Sequence, residues 1–253
     1  MLKEKVSIVT GGASGIGYAV AQTFVEDGVK VVIADINEDG LKVSSETLGC
    51  DYFVADLSRR ESCKALVDYT IGKYGKVDIL VNVAGIQTVS SIEDFPEDKW
   101  DFMISLMLTA PFLLTKYVWS SMKTQNWGRI INLDSIHGLV ASEYKSAYVS
   151  AKHGLIGLTK TAALEGGEYG ITVNAICPAY VRTPLVDKQI DAQAKNHGIS
   201  KDEVVSKIML QKSAIKTMIE PEAVAKTVKF LCSDVADHIT GSALTMDGGW
   251  TAG

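Results

Sequence analysis

Tyr148 and Lys152 stand four residues apart in Tyr-Val-Ser-Ala-Lys, at the start of a helix-prone run. That spacing stacks the two side chains on one helix face. A free phenol titrates near roughly 10, and an ammonium beside it favours the phenolate. The pair therefore suits acid/base work near neutral pH. Ser135 closes the preceding β-rich run and brings a hydroxyl that can orient a carbonyl or an alcohol. A Tyr/Lys pair alone is common on helix surfaces; its meaning depends on what else the chain holds.

A second constellation stands near the start. Thr10-Gly11-Gly12-Ala13-Ser14-Gly15-Ile16-Gly17 follows an apolar run and opens a helical one. Glycines there let backbone approach a pyrophosphate, and the helix N-terminus offers unpaired N–H groups and a positive dipole end. Gly11, Ser14, Gly15, Ile16 and Gly17 are the candidate phosphate cradle, although the spacing is not GxGxxG. Asp35 ends the second β-rich run, 18 residues beyond Gly17. A carboxylate there accepts from ribose hydroxyls and repels a 2′-phosphate, which favours NAD over NADP. In isolation Asp35 reads equally as a strand-end residue capping the next helix.

The elements that would position these groups alternate in type. Val6–Thr10, Val29–Asp35, Asp51–Leu57, Val77–Gly85, Gly128–Ser135, Gly170–Pro178 and Ser242–Gly249 read as strands. Most are near-continuous apolar runs, the pattern of strands covered on both faces. Helical segments lie between them, among them Gly15–Asp27, Arg59–Tyr74, Tyr148–Tyr169 and Pro221–Ser233. The alternation predicts α/β architecture: one doubly wound, parallel, seven-stranded sheet of Rossmann type, with helices on both faces. One domain over 1–253 suffices. Residues 185–216 are polar and helix-prone, and follow a strand end where α/β folds bind ligands. They read as a substrate lid, or as a plain solvated helix pair.

Composition bounds the partners. The chain has 253 residues, 47% hydrophobic and 22% charged, with net charge −5. It is long enough to bury a core without disulfides or metal, and its mild acidity gives no attraction to nucleic acid or anionic membrane. No apolar run approaches the roughly 20 residues of a membrane span, and the start carries no signal-peptide pattern. Cys50, Cys63, Cys177 and Cys232 are scattered and form no metal-ligand spacing, which fits a reducing cytoplasm.

The ordered set Thr10-Gly-x-x-x-Gly-x-Gly17, Asp56-Leu57, Asn82-x-Ala84-Gly85, Ser135, Tyr148-x-x-x-Lys152, Asn174-Ala-x-x-Pro178 and Asp247-Gly-Gly249 resembles the short-chain dehydrogenase/reductase family over essentially the whole chain. The resemblance implies an NAD-dependent oxidoreductase. Tyr148 would be the acid/base, Ser135 would polarise the reacting oxygen, and Lys152 would hold the nicotinamide ribose and lower the tyrosine pKa. It further implies that Asp56 reaches the adenine with Leu57 beside it, that Asn82, Ala84 and Gly85 lie along the cofactor, and that Pro178, Val181 and Thr183 approach its nicotinamide end. A narrower set resembles the D-3-hydroxybutyrate dehydrogenase branch: Gly85-Ile-Gln87, Ser135-Ile-His137, Lys145-Ser-Ala-Tyr148, Cys177 to Val186 with Gln189, and Asp247-Gly-Gly-Trp250. It implies that Gln87, His137, Lys145 and Gln189, with Trp250 nearby, bind a small hydroxy acid, and that relatives assemble as homotetramers. Singly, Lys145 reads equally as a surface lysine, His137 as structural and Gln189 as solvated; as a set they point to a carboxylate.

Three departures qualify the resemblance. Met107 stands where the family carries an Asn tied to a water between the lysine and solvent, and a thioether accepts only weakly. Val83 replaces a second Asn. Tyr180 replaces Trp, which leaves room for a longer hydroxy acid. Asp134 beside Ser135 is unusual, and its direction is open. The rival readings are therefore a dehydrogenase for another hydroxy acid or alcohol, and a weakly active NAD binder.

Overall fold

Aliphatic and β-branched runs without a polar break have no stable place except a sheet covered on both sides. The computed structural model describes residues 2–252; Met1 and Gly253, the ends of the expected domain, lie outside them. Among the described residues the chain runs β1 Val6–Thr10, α1 Gly15–Glu26, β2 Lys30–Asp35, α2 Glu38–Leu48, β3 Asp51–Val54, α3 Arg60–Tyr74, β4 Ile79–Asn82, α4 Glu97–Ile104, α5 Ala110–Gln125, β5 Gly128–Leu133, α6 Ser146–Gly166, β6 Ile171–Pro178, α7 Pro184–His197, α8 Lys201–Glu203, α9 Pro221–Cys232 and β7 Ala243–Met246. The strands form one sheet in the order β3-β2-β1-β4-β5-β6-β7, and every pair is parallel. The chain winds outward from β1 to one edge, then returns to β4 and winds to the other. The loops after β1 and β4 thus diverge and open a crevice at the carboxyl edge of the sheet, where such folds bind ligands.

Two apolar layers hold the sheet. On one face Ala19, Val20 and Phe24 of α1 and Val224 and Val228 of α9 pack on Val31, Ile33 and Val81. On the other, Leu66 of α3, Leu113 and Leu114 of α5 and Ala162 of α6 pack on Ile8, Leu80 and Ile130. Phe24, Ile8 and Leu66 are fully withdrawn from water, each contributing about 1.5–3 kcal/mol. Edge strands β3 and β7 are only partly buried, unlike β1, β4, β5 and β6, because each has a neighbour on one side alone.

Several strands stop short of their apolar runs. β4 ends at Asn82 rather than Gly85, because Thr10 Oγ1 accepts from the Val83 and Ala84 amides at 2.9 and 3.1 Å and replaces the ladder. β5 ends at Leu133 rather than Ser135, its last paired residue opposite Ile176. The released residues become the wall of the crevice.

One expectation about membranes is corrected. Glu97–Gln125 forms a continuous helical stretch of 29 residues, long and apolar enough to cross a bilayer by length and composition. Its apolar side is committed to the sheet through Leu113, Leu114, Val118 and Met122. A π-helical turn, Ser105–Thr109, divides α4 from α5. The segment after β6 is helical, as its composition suggests, yet it has its own apolar centre. Ile190, Val204, Met209, Leu210 and Met218 are buried together, with Tyr180 packed against them.

Candidate active site

The turn between β1 and α1 is shaped by what glycine lacks. Gly11 is left-handed (φ 68°), and a Cβ there would sit 3.1 Å from the Ala84 amide nitrogen. A Cβ on Gly17 would lie 2.1 Å from the Gly11 carbonyl oxygen, so only glycine permits this close return of α1. Ser14 is the N-cap residue, but its hydroxyl caps no amide. The N–H groups of the first turn stay available to an anion. These glycines with Ser14 and Ile16 line a cavity of about 370 Å³ at the carboxyl edge of the sheet.

The cavity continues along an elongated track. Asp35 lines it, with Oδ1 accepting from the Asn37 amide at 3.0 Å and Oδ2 from the Ala13 amide at 3.4 Å. Asp56 is steadied by the amide and hydroxyl of Ser58, at 3.0 and 2.6 Å. Leu57, Ala84, Gly85, Pro178, Val181 and Thr183 complete that side. Thr183 also caps α7, its hydroxyl accepting from the Val186 amide at 3.4 Å. A glycine cradle at a helix N-terminus, an acidic strand end and apolar walls fit a dinucleotide.

The far end of the cavity gathers the reactive groups. Tyr148 and Lys152 project from α6. Lys152 is buried; its Nζ donates to the Leu133 carbonyl at 2.6 Å and lies 5.6 Å from the Tyr148 ring centroid. Ser135 accepts from the His137 amide at 3.2 Å, which fixes its rotamer at the start of a short 3-10 turn, Ile136–Gly138. The His137 ring meets Tyr148 edge-on, centroids 6.2 Å apart.

Polar groups converge beside this set. Lys145 Nζ lies 3.2 Å from His137 Nε2. An ammonium only donates, so Nε2 accepts and the ring proton sits on Nδ1. Burial, then the Lys145 charge, pushes the His137 pKa down to about 4, so the ring is neutral. Burial lowers the Lys145 pKa as well. Gln87 and Gln189 line the same end, and Gln87 Nε2 is a buried donor without a hydrogen-bond partner among the described residues. Tyr144, next to Lys145, takes a left-handed conformation (φ 64°) uncommon for an aromatic residue.

Two expected residues stand apart. Asn82 does not line the cavity: it is buried in the sheet and donates to Asn132 at 2.8 Å, and Asn132 donates on to Thr159. Trp250 does not line it either; its ring backs His137 edge-on at 6.2 Å, with Lys212 Nζ 4.8 Å from its centroid. Sequence reasoning missed the apolar walls Ile36, Ala55, Phe102 and Leu106. Phe102 and Leu106 share a helix side at i and i+4, a signal that core residues carry equally. Met107 is fully buried against Met103, Ala147 and Ala151, with Tyr148 packed on the same cluster.

Known proteins resemble the chain over nearly its whole length. Residues 11–251 match the family model described as enoyl-(acyl carrier protein) reductase. The chain is 44% identical over 255 residues to D-beta-hydroxybutyrate dehydrogenase of Rhizobium meliloti (strain 1021), covering 98% of this chain and 99% of that protein. It is 40% identical over 257 residues to the enzyme of the same name from Cupriavidus necator, covering all of both. Among solved structures, a variant of actinorhodin polyketide ketoreductase with NADPH superposes at a TM-score of 0.92 with 31% identity, covering 98% of this chain and 97% of that one.

Proposed function

The chain belongs to the short-chain dehydrogenase/reductase family of oxidoreductases, and from that premise we propose that it oxidises (R)-3-hydroxybutyrate to acetoacetate, reversibly, with NAD. One observation carries the substrate: Lys145 and the unpartnered Nε2 of Gln87 bring donors to the cavity end that holds Tyr148 and Ser135. Donors gathered at a half-buried wall ask for an anion, and a 3-hydroxy acid brings a carboxylate together with a secondary alcohol. The relatives named above support the same substrate.

The mechanism follows from this placement. Lys145, Gln87, Gln189 and neutral His137 hold the carboxylate. Ser135 donates to the hydroxyl oxygen and steadies it as it becomes a carbonyl. Tyr148 takes the hydroxyl proton, and Lys152, anchored on Leu133, holds positive charge beside the phenol. NAD supplies the hydride acceptor when bound. Asp35 would select it, since its fixed carboxylate accepts from ribose hydroxyls and repels a 2′-phosphate; the actinorhodin polyketide ketoreductase variant, by contrast, is seen with NADPH. No metal is needed for this chemistry. The same reading places the enzyme in the cytoplasm and makes it a homotetramer through exposed apolar residues such as Phe112 and Leu164, which sedimentation at micromolar concentration tests.

Tyr180 favours a second substrate reading. It lines the cavity and packs on the apolar centre of the lid segment, where a smaller ring than Trp leaves room for a longer 3-hydroxy acid. NADH formation with both enantiomers of 3-hydroxybutyrate, a longer 3-hydroxy acid and a neutral secondary alcohol, each with NAD and NADP, tests the reading. Turnover confined to the R enantiomer with NAD is expected. Equal use of the neutral alcohol overturns the carboxylate site.

A further inference from the structure

Asp134 precedes Ser135, and the reaction above does not use it. It is buried, with only 3% of its surface exposed. Its amide pairs with the Ile176 carbonyl at 2.8 Å, extending β5 by one step beside β6. Oδ1 accepts from the Ser135 amide at 2.7 Å, which locks the backbone under the serine hydroxyl. Oδ2 has no hydrogen-bond partner among the described residues, yet Asp134 lines the cavity. Gly138 makes room for the carboxylate: a Cβ there would fall 2.1 Å from Oδ1 and 3.1 Å from Ile156. A buried, half-partnered carboxylate in a space only glycine leaves open is a costly arrangement.

We propose that Asp134 is a positioning residue of the acid/base centre: it orients Ser135 through its backbone amide, and its negative charge, acting across Lys152, opposes loss of the Tyr148 proton. The proposal rests on the reading of Tyr148 as the acid/base. The groups facing Asp134 are few. From α6 come Lys152 and His153, both favouring its ionised form, and from β6 comes Cys177. The Cys177 thiol is pushed up to about 12 by burial and stays neutral. The covering turn meets Asp134 with Gly138, and His137 on the same turn is neutral. Burial pushes the Asp134 carboxyl up to about 6 against the pull of Lys152. Above that pH it presents a negative charge that interacts with Lys152. Below it the charge is absent and only the hydrogen-bonding role remains.

The test compares wild type, Asp134→Asn and, should Asn disturb folding, Asp134→Ser, whose hydroxyl still accepts from the Ser135 amide. Tyr148→Phe isolates the Tyr148 phenolate absorbance as a difference spectrum in the cofactor-free protein, so no substrate is required. The phenolate midpoint is expected to fall by about 0.5–1 pH unit in either Asp134 variant, the order of a unit charge removed from a partly buried pair. Turnover should match wild type near pH 5 and develop at lower pH than in wild type. An unmoved midpoint, or a loss of turnover equal at all pH, overturns the proposal. A shifted midpoint without turnover of any hydroxy acid upholds it and discards the substrate reading instead.

Discussion

Replacing Asp134 by Asn should make the protein more stable at pH 8 than wild type, relative to the same comparison at pH 5. In the unfolded chain the carboxyl titrates near 3.8, whereas burial in the folded chain pushes it up to about 6. The folded state therefore holds a proton that the unfolded state releases. Stability is lost as pH rises from about 3.8 through about 6, which is the sign expected when folding raises a carboxyl pKa. The interval is about 2 pH units, or ~3 kcal/mol at about 1.36 kcal/mol each. About half of that accumulates between pH 5 and pH 8. Asn keeps an acceptor for the Ser135 amide, but its Nδ2 replaces the unpartnered Oδ2. That orphaned donor costs about 1–3 kcal/mol at every pH, so the pH-dependent difference, not the absolute value, is diagnostic. Urea melts of both proteins at pH 5 and pH 8 measure it. The variant should gain on the order of 1 kcal/mol on wild type between the two pH values. A difference that is flat with pH, or that favours wild type more at pH 8, refutes the buried-charge account of this site.

Three further outcomes follow from the geometry. Lys145→Ala removes the cation beside His137 and should raise KM for 3-hydroxybutyrate about 10- to 100-fold, the scale of a lost charge-assisted hydrogen bond; a KM within twofold of wild type would remove the carboxylate from that wall. Gly17→Ala puts a methyl 2.1 Å from the Gly11 carbonyl, so NADH fluorescence titration should show at least tenfold weaker binding, and unchanged binding would show that the turn is not the phosphate cradle. Met107→Asn brings a hydrogen-bonding side chain to the apolar back of the Tyr148 helix. It should raise kcat several-fold with NADH affinity unchanged, whereas a slower variant with native melting behaviour would show that proton transfer does not limit the rate.

Much of the candidate site was legible in the sequence because it is local. Tyr148 and Lys152 share a face by helix periodicity, and Gly11, Gly15 and Gly17 belong to one turn. Asp35 and Ser135 sit at strand ends, which in a parallel sheet all open on one edge. These residues line one cavity, as do Gln87, His137, Lys145 and Gln189. Asn82 and Trp250 carried similar signals yet sit behind the wall, Asn82 bonded to Asn132 and Trp250 edge-on to His137. Spacing reports that a residue is near a strand end; it does not report which way its side chain turns.

The amino-acid sequence by itself determined the alternation of strands and helices, the parallel sheet, the glycine turn after β1 and the shared helix face of Tyr148 and Lys152. Each depends on contacts within a few residues, or on composition that only a doubly covered sheet can bury. The tertiary structure alone decided what depends on distant partners. β6 and the turn over Gly138 shut the Asp134 carboxylate away from water. Thr10 ends β4 early by taking its amides. A segment that reads as polar closes on an apolar centre with Tyr180. Hydrophobic periodicity describes one element at a time, whereas desolvation and hydrogen-bond satisfaction are set by every element that surrounds a group.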